Sequence, residues 1–111
     1  MLYHITTQAE WDAAEETYSA PSLTEQGFIH LSATPDQVNR VLQAIYAGQD
    51  DLIVLCIDPA KLTAEVKHEP PDLTIPAEHY EGELFPHLYG TLDADAVTAV
   101  HPLVKDGTFI P

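Results

Sequence analysis

Apolar and polar positions alternate at the start of the chain and then change to a helical period. LYHIT, residues 2 to 6, has the composition of a strand, and Thr7 followed by Glu10 has the spacing of a capping box. Trp11, Ala14 and Tyr18 recur at helical spacing with Asp12, Glu15 and Glu16 between them, which predicts a first helix running to Tyr18. SAPSLTEQG reads as a loop leading to a second strand, FIHLS. The clearest helical signal follows: Thr34 as N-cap, Pro35 at the first position, Gln37 at the capping-box position and Gly48 at the end, with Val38, Val41, Leu42, Ile45 and Tyr46 as its apolar stripe.

DLIVLCID is nearly continuous in its hydrophobicity, as a central strand covered on both faces would be. Pro59 to Leu62 reads as a turn, Glu65 to Glu69 as a strand, PPDLTIP as an extended loop and FPHLYGTL as a strand. DADAV opens a short helix and VTAVHPLV a further strand carried to Pro102. Helices and strands alternate and then give way to strands, so the pattern predicts one α+β domain over residues 1 to 111, with two main helices and mixed, curved sheets.

At 111 residues and 45% hydrophobic content the chain has material for one core. Eighteen Asp and Glu against four Lys and Arg give a formal charge of -14, which repels a phosphate backbone and argues against DNA or RNA as a partner. Cys56 is the single cysteine and lies in an apolar run, where it reads as a small buried hydrophobe. MLYHITTQAEW lacks the basic start and long apolar stretch of a secretory signal, and no segment is long enough to span a bilayer, so a cytoplasmic protein with no membrane partner is expected.

Six histidines among 111 residues change the picture. His4, His30 and His87 fall inside predicted strands, where side chains alternate between faces. Phe28, His30 and Ser32 then share one face, opposite Ile29 and Leu31. Phe85, His87 and Tyr89 share another, opposite Pro86 and Leu88, and Leu2, His4 and Thr6 align. Either each histidine is satisfied separately by a backbone carbonyl, or neighbouring strands bring the imidazoles to a single cleft with Tyr89 and Ser32. In such a cleft imidazoles hydrogen-bond ribose hydroxyls and a tyrosine ring stacks on a planar base. Glu69 and Glu83 are the carboxylates nearest to it in sequence. His68, His79 and His101 lie in or near loops and are given no role, and no spacing matches HExxH or another metal-ligand pattern, so no metal is expected.

LYHIT, GFIHLSATPDQV, DLIVLCIDPAKL and an acidic residue followed by FPHLYGTL resemble the bacterial domain of unknown function 952 family over nearly the whole chain. The HLS and PHLYG segments are the most specific part. The resemblance implies an ADP-ribosyltransferase-like fold, two small sheets around a cleft that in active relatives holds NAD. More distantly, the chain is similar to RNA 2'-phosphotransferases, which carry LYHGT in strand one and a later HVHLS. Through that likeness His4 matches a histidine that holds a nucleotide, His30 and Ser32 match the second segment, and Tyr89 and Glu83 match a later ring and acid. Those enzymes grip phosphate with several arginines. This chain has only Arg40, and Gly27, Phe28 and Ile29 supply no charge before HLS.

The resemblance thus implies a domain binding NAD or a related nucleotide, with His4 on the ribose, Tyr89 on the base, and His30, Ser32 and His87 orienting polar groups. If the domain is catalytic, Glu83 or Glu69 stabilises an oxocarbenium-like species. The alternative is a non-enzymatic small-ligand or protein-binding module that kept the cleft and lost the chemistry.

Overall fold

The computed structural model describes residues 1–49, 51–70, 82–103 and 107–111. The first strand, β1 (Leu2–Thr7), passes directly into α1 (Gln8–Asp12), where the Thr7 hydroxyl accepts the Glu10 N–H at 3.1 Å. The helix stops at Asp12, well short of the expected Tyr18. Further turns would have placed Asp12, Glu15 and Glu16 at the negative end of the helix dipole with no basic residue to offset them. Tyr18 falls instead in a short strand, β2 (Thr17–Tyr18).

SAPSLTEQG, expected as loop, contains α2 (Pro21–Gln26). Pro21 takes the first turn, where a missing N–H costs nothing, and Gly27 closes the helix at φ 88°, a conformation glycine adopts freely. The next strand, β3 (Ile29–His30), is shorter than FIHLS, because Ser32 leaves it to form a bridge with Tyr3. The main helix, α3 (Pro35–Ile45), is capped by Thr34, whose hydroxyl accepts the Gln37 N–H at 3.1 Å. It is followed by β4 (Leu52–Ile57), a 3-10 turn at Pro59–Lys61, and β5 (Glu65–Glu69). The chain then forms β6 (Phe85–Tyr89), β7 (Leu92–Asp93), a second 3-10 turn at Ala94–Ala96 and β8 (Val97–Pro102). FPHLYGTL is broken at Gly90, where a Cβ would lie 2.7 Å from that of Ala64. The loop expected for PPDLTIP lies, apart from Pro70, outside the described residues.

The strands form three sheets, β1-β4-β8, β2-β7 and β3-β6-β5, and every ladder among the described residues is antiparallel. The expected mixed sheet is therefore replaced by small antiparallel ones. A parallel pair needs a crossover that returns the chain to the same sheet. Here the strands after α2 and α3 enter a different sheet or meet a neighbour running the other way.

β4 is buried along its whole length. Ile53, Leu55 and Ile57 pack with Leu2, Ile29, Leu31, Leu88 and Leu92, while Leu52, Val54 and Cys56 pack with Ile5, Val38, Leu42 and Phe109. This is the two-faced burial that its continuous apolar run predicts. Asn39 ties the chain's end to α3: its side chain donates to the Phe109 carbonyl at 3.0 Å and accepts the Phe109 N–H at 2.7 Å. Among the described residues no helix is long and apolar enough to cross a membrane.

Candidate functional site

β1 is an edge strand, and its outer edge is where two sheets meet. Tyr3 and Ser32 exchange backbone hydrogen bonds of 2.9 and 2.8 Å, the single bridge between β1 and the β3 segment. In an antiparallel ladder, residues two apart turn their N–H and C=O to the same side. Ile5 thus presents both groups to the edge that Tyr3 uses, and no described residue pairs with them there. Below that open edge lies a cavity of about 340 Å³, within the range of small-molecule sites.

His4, His30, His87 and Ser32 line this cavity together with Tyr18 and Thr6. Ile5, Leu31 and Phe85 supply apolar wall from the strands, and Val41, Ile45 and Tyr46 from α3 and its C-cap. Ser32 is 4% exposed, and its hydroxyl has no hydrogen-bond partner among the described residues. A buried hydroxyl left in that state is either met by solvent or a ligand, or it costs stability.

His4 belongs to a closed hydrogen-bond chain. Its Nδ1–H donates to the His30 carbonyl at 2.7 Å, which leaves Nε2 to accept the Tyr18 hydroxyl at 3.0 Å. The Tyr18 oxygen in turn accepts the Thr6 hydroxyl at 2.7 Å. Burial pushes the His4 imidazole from 6.5 down to about 4 and the Tyr18 phenol up to about 12, so both are neutral at pH 7.

His30 and His87 are direct partners across the β3–β6 ladder, with ring centroids 5.6 Å apart. His30 donates from Nε2 to the Gln26 side-chain carbonyl at 2.5 Å. The His87 ring lies parallel to that of Phe28 at 4.1 Å, and its Nδ1 meets the Glu69 carboxylate at 2.9 Å. The same carboxylate oxygen accepts the Tyr89 hydroxyl. That hydrogen bond, and after it the one from His87, holds the Glu69 carboxyl below its usual range, while the Tyr89 phenol is raised by its bond to Glu69.

The other predicted residues lie elsewhere. Tyr89 and Glu69 stand outside the cavity wall, and the Lys67 ammonium lies 4.8 Å from the centre of the Tyr89 ring. Glu83, expected beside the imidazoles, is held by both terminal nitrogens of Arg40 at 2.6 Å and by Gln37 at 2.7 Å. Hydrogen bonds from Arg40 lower its pKa. Glu83 thus anchors α3 to the segment before β6. His68 and His101 fall in β5 and β8, segments that the sequence reads as strands, and His79 lies outside the described residues. No group of His, Cys, Asp and Glu with metal-binding geometry occurs among the described residues. Cys56 is buried and its thiol is raised by that burial.

The residues that sequence reasoning missed are Tyr18, Thr6, Glu10, Gln26 and the Ile5 backbone. The face shared by His4 and Thr6 was visible in β1. Tyr18 was hidden by its helical spacing, which conceals a strand paired to Leu92.

Small antiparallel sheets, three helices and a cavity lined by imidazoles at an open strand edge define an α+β protein with a polar-floored pocket. The chain belongs to the family described as protein of unknown function DUF952, whose model matches residues 5–100. It is similar to protein CC0527 from Caulobacter crescentus. Against the crystal structure of that protein the identity is 34% and the TM-score 0.74, with 96% of this chain and 90% of the other covered. Against its solution structure the identity is 30% and the TM-score 0.64, with 96% and 89% covered. No curated protein matches the chain.

Proposed function

We propose that this protein binds the nucleoside part of NAD or a related nucleotide in the cavity beneath the β1 edge, in an arrangement like that of ADP-ribosyltransferases. The observation that carries the reading is the convergence of His4, His30, His87 and the Ser32 hydroxyl, which has no hydrogen-bond partner among the described residues, on one cavity wall. Ser32 has hydrogen-bonding capacity to spend on a ribose hydroxyl. The open N–H and C=O of Ile5 match the donor and acceptor of a carboxamide, as an added strand would. Apolar side chains from β1, β6 and α3, with Leu31 just after β3, suit a flat ring between them.

A second reading is favoured by the placement of the carboxylates. Glu83 is neutralised by Arg40, and Glu69 reaches the cavity only through His87. A module that binds without catalysing accounts for this arrangement, and release of nicotinamide from NAD separates the two.

The test is an NMR titration of the imidazole nitrogens with NAD at constant pH. Saturable shifts at His4, His30 and His87, with His68 and His101 as internal references, are expected. Silence at millimolar ligand, or equal shifts at all the histidines, would overturn the proposal.

A further inference from the structure

The cavity has a definite charge character. Among the described residues no lysine or arginine lines it, and one carboxylate, Glu10, stands in its wall. His4 adds no positive charge at neutral pH. The Glu10 carboxylate lies close enough to the Tyr18 and Tyr46 phenols to raise both, beyond the larger effect of their burial. The described cations are engaged or placed elsewhere. Arg40 pairs with Glu83 and Asp36, Lys67 lies over Tyr89, and Lys61 sits in the 3-10 turn after β4. α2 begins at the cavity rim, but with Pro21, which has no N–H to offer an anion.

A phosphate entering this space would meet neutral hydroxyls and imidazoles but no lysine or arginine among the described residues, and it would give up its hydration facing the Glu10 carboxylate. A neutral nucleoside escapes that cost. A base that carries positive charge gains from Glu10 and from a chain of formal charge -14.

We infer that the cavity selects nucleosides over their phosphorylated forms, prefers a positively charged base, and owes that preference to Glu10. The inference rests on the nucleotide-binding reading above and narrows it: in a dinucleotide such as NAD the phosphates stay outside the wall and weaken binding.

Two matched pairs test it, nicotinamide riboside against nicotinamide mononucleotide and adenosine against its 5'-monophosphate, by calorimetry on the full chain at pH 8 and low salt. Each nucleoside is expected to bind about tenfold or more tightly than its phosphate, a gap that narrows as salt is added. In Glu10→Gln the advantage of nicotinamide riboside over adenosine should shrink by about threefold or more, with unchanged circular dichroism. Monophosphates that bind as tightly as their nucleosides overturn the inference while leaving nucleotide binding intact. A Glu10→Gln variant with unaltered preference removes Glu10 from it. Absence of binding by all the compounds instead overturns the nucleotide-binding reading, and the inference falls with it.

Discussion

The imidazoles of His4 and His87 line the same cavity from two very different settings. His4 is 6% exposed and tied at both ring nitrogens into a chain of neutral groups, ending at Thr6. His87 is as well buried, but its hydrogen-bond partner among the described residues is the Glu69 carboxylate, whose side chain is 35% exposed and which also holds Tyr89 at the rim. At the floor, every donor and acceptor is matched inside the protein, so the polar network has become part of the core. At the rim, the partner is charged and reaches solvent, where water replaces it at little cost. The floor therefore fixes the shape of the surface a ligand meets, and the rim holds the groups that can exchange partners when something binds.

The largest effect expected from this contrast follows His4→Phe. The ring is of similar size, but the Tyr18 hydroxyl and the His30 carbonyl lose their partner in a buried place, at a cost of about 2–4 kcal/mol at pH 7, read from urea unfolding. The pH dependence sharpens the test. The folded imidazole sits at about 4 and the unfolded one at 6.5, so between those values the unfolded chain binds more protons. Stability conferred by the neutral ring is full above pH 6.5 and falls by up to about 3 kcal/mol as the pH drops toward 4. The slope between pH 6.5 and 5 should vanish in His4→Phe. A variant that keeps the slope would break the assignment of that dependence to the floor.

An intermediate effect is expected at the Arg40–Glu83 pair. Its geometry is bidentate, yet the two side chains are 32% and 26% exposed. Solvent screening limits Glu83→Gln to about 1 kcal/mol, and added salt should diminish the loss further. The lowered carboxyl of Glu83 contributes stability above its unfolded pKa, and that contribution disappears in acid. A loss as large as that of His4→Phe and insensitive to salt would place Glu83 with the buried floor. Binding of nicotinamide riboside should be unaffected, because Glu83 does not line the cavity.

This division was partly legible in the sequence. The alternation in LYHIT puts Leu2, His4 and Thr6 on one face, and the ladder with β4 bears this out, with Leu2 opposite Ile57 and His4 opposite Leu55. The continuous run of LIVLCI marks the central strand, and the caps around Thr34 and Pro35 mark α3. What was missed depends on partners remote in the chain. Tyr18 keeps a helical spacing from Trp11 and Ala14, and nothing local records that Leu92 will pair with it. Arg40 and Glu83 lie 43 positions apart, and Glu69 and His87 lie 18 apart. Two glutamates in similar acidic surroundings therefore gave no sign of which would be neutralised by arginine and which would meet an imidazole. α2 was overlooked for a different reason: its residues are polar, and its boundaries are marked only by Pro21 and Gly27.

The smallest effect on folding is expected at the rim, where Glu69→Gln replaces the carboxylate shared by His87 and Tyr89. Glu69 is half-buried and the glutamine amide keeps an acceptor oxygen for its partners, so the melting temperature should change little. The chemistry should change nonetheless. The Tyr89 phenol, raised chiefly by its hydrogen bond to Glu69, should return toward 10.0 in a tyrosinate absorbance titration. The His87 ring then faces an amide that can accept or donate instead of an acceptor-only carboxylate, so its proton is no longer fixed on Nδ1 and nitrogen shifts should move from a single tautomer toward a mixture. A ligand bound beside His87 then meets an imidazole whose donor and acceptor are no longer assigned, and its affinity falls although the fold does not. A melting temperature lowered as far as in His4→Phe would show that the rim is built into the core as firmly as the floor.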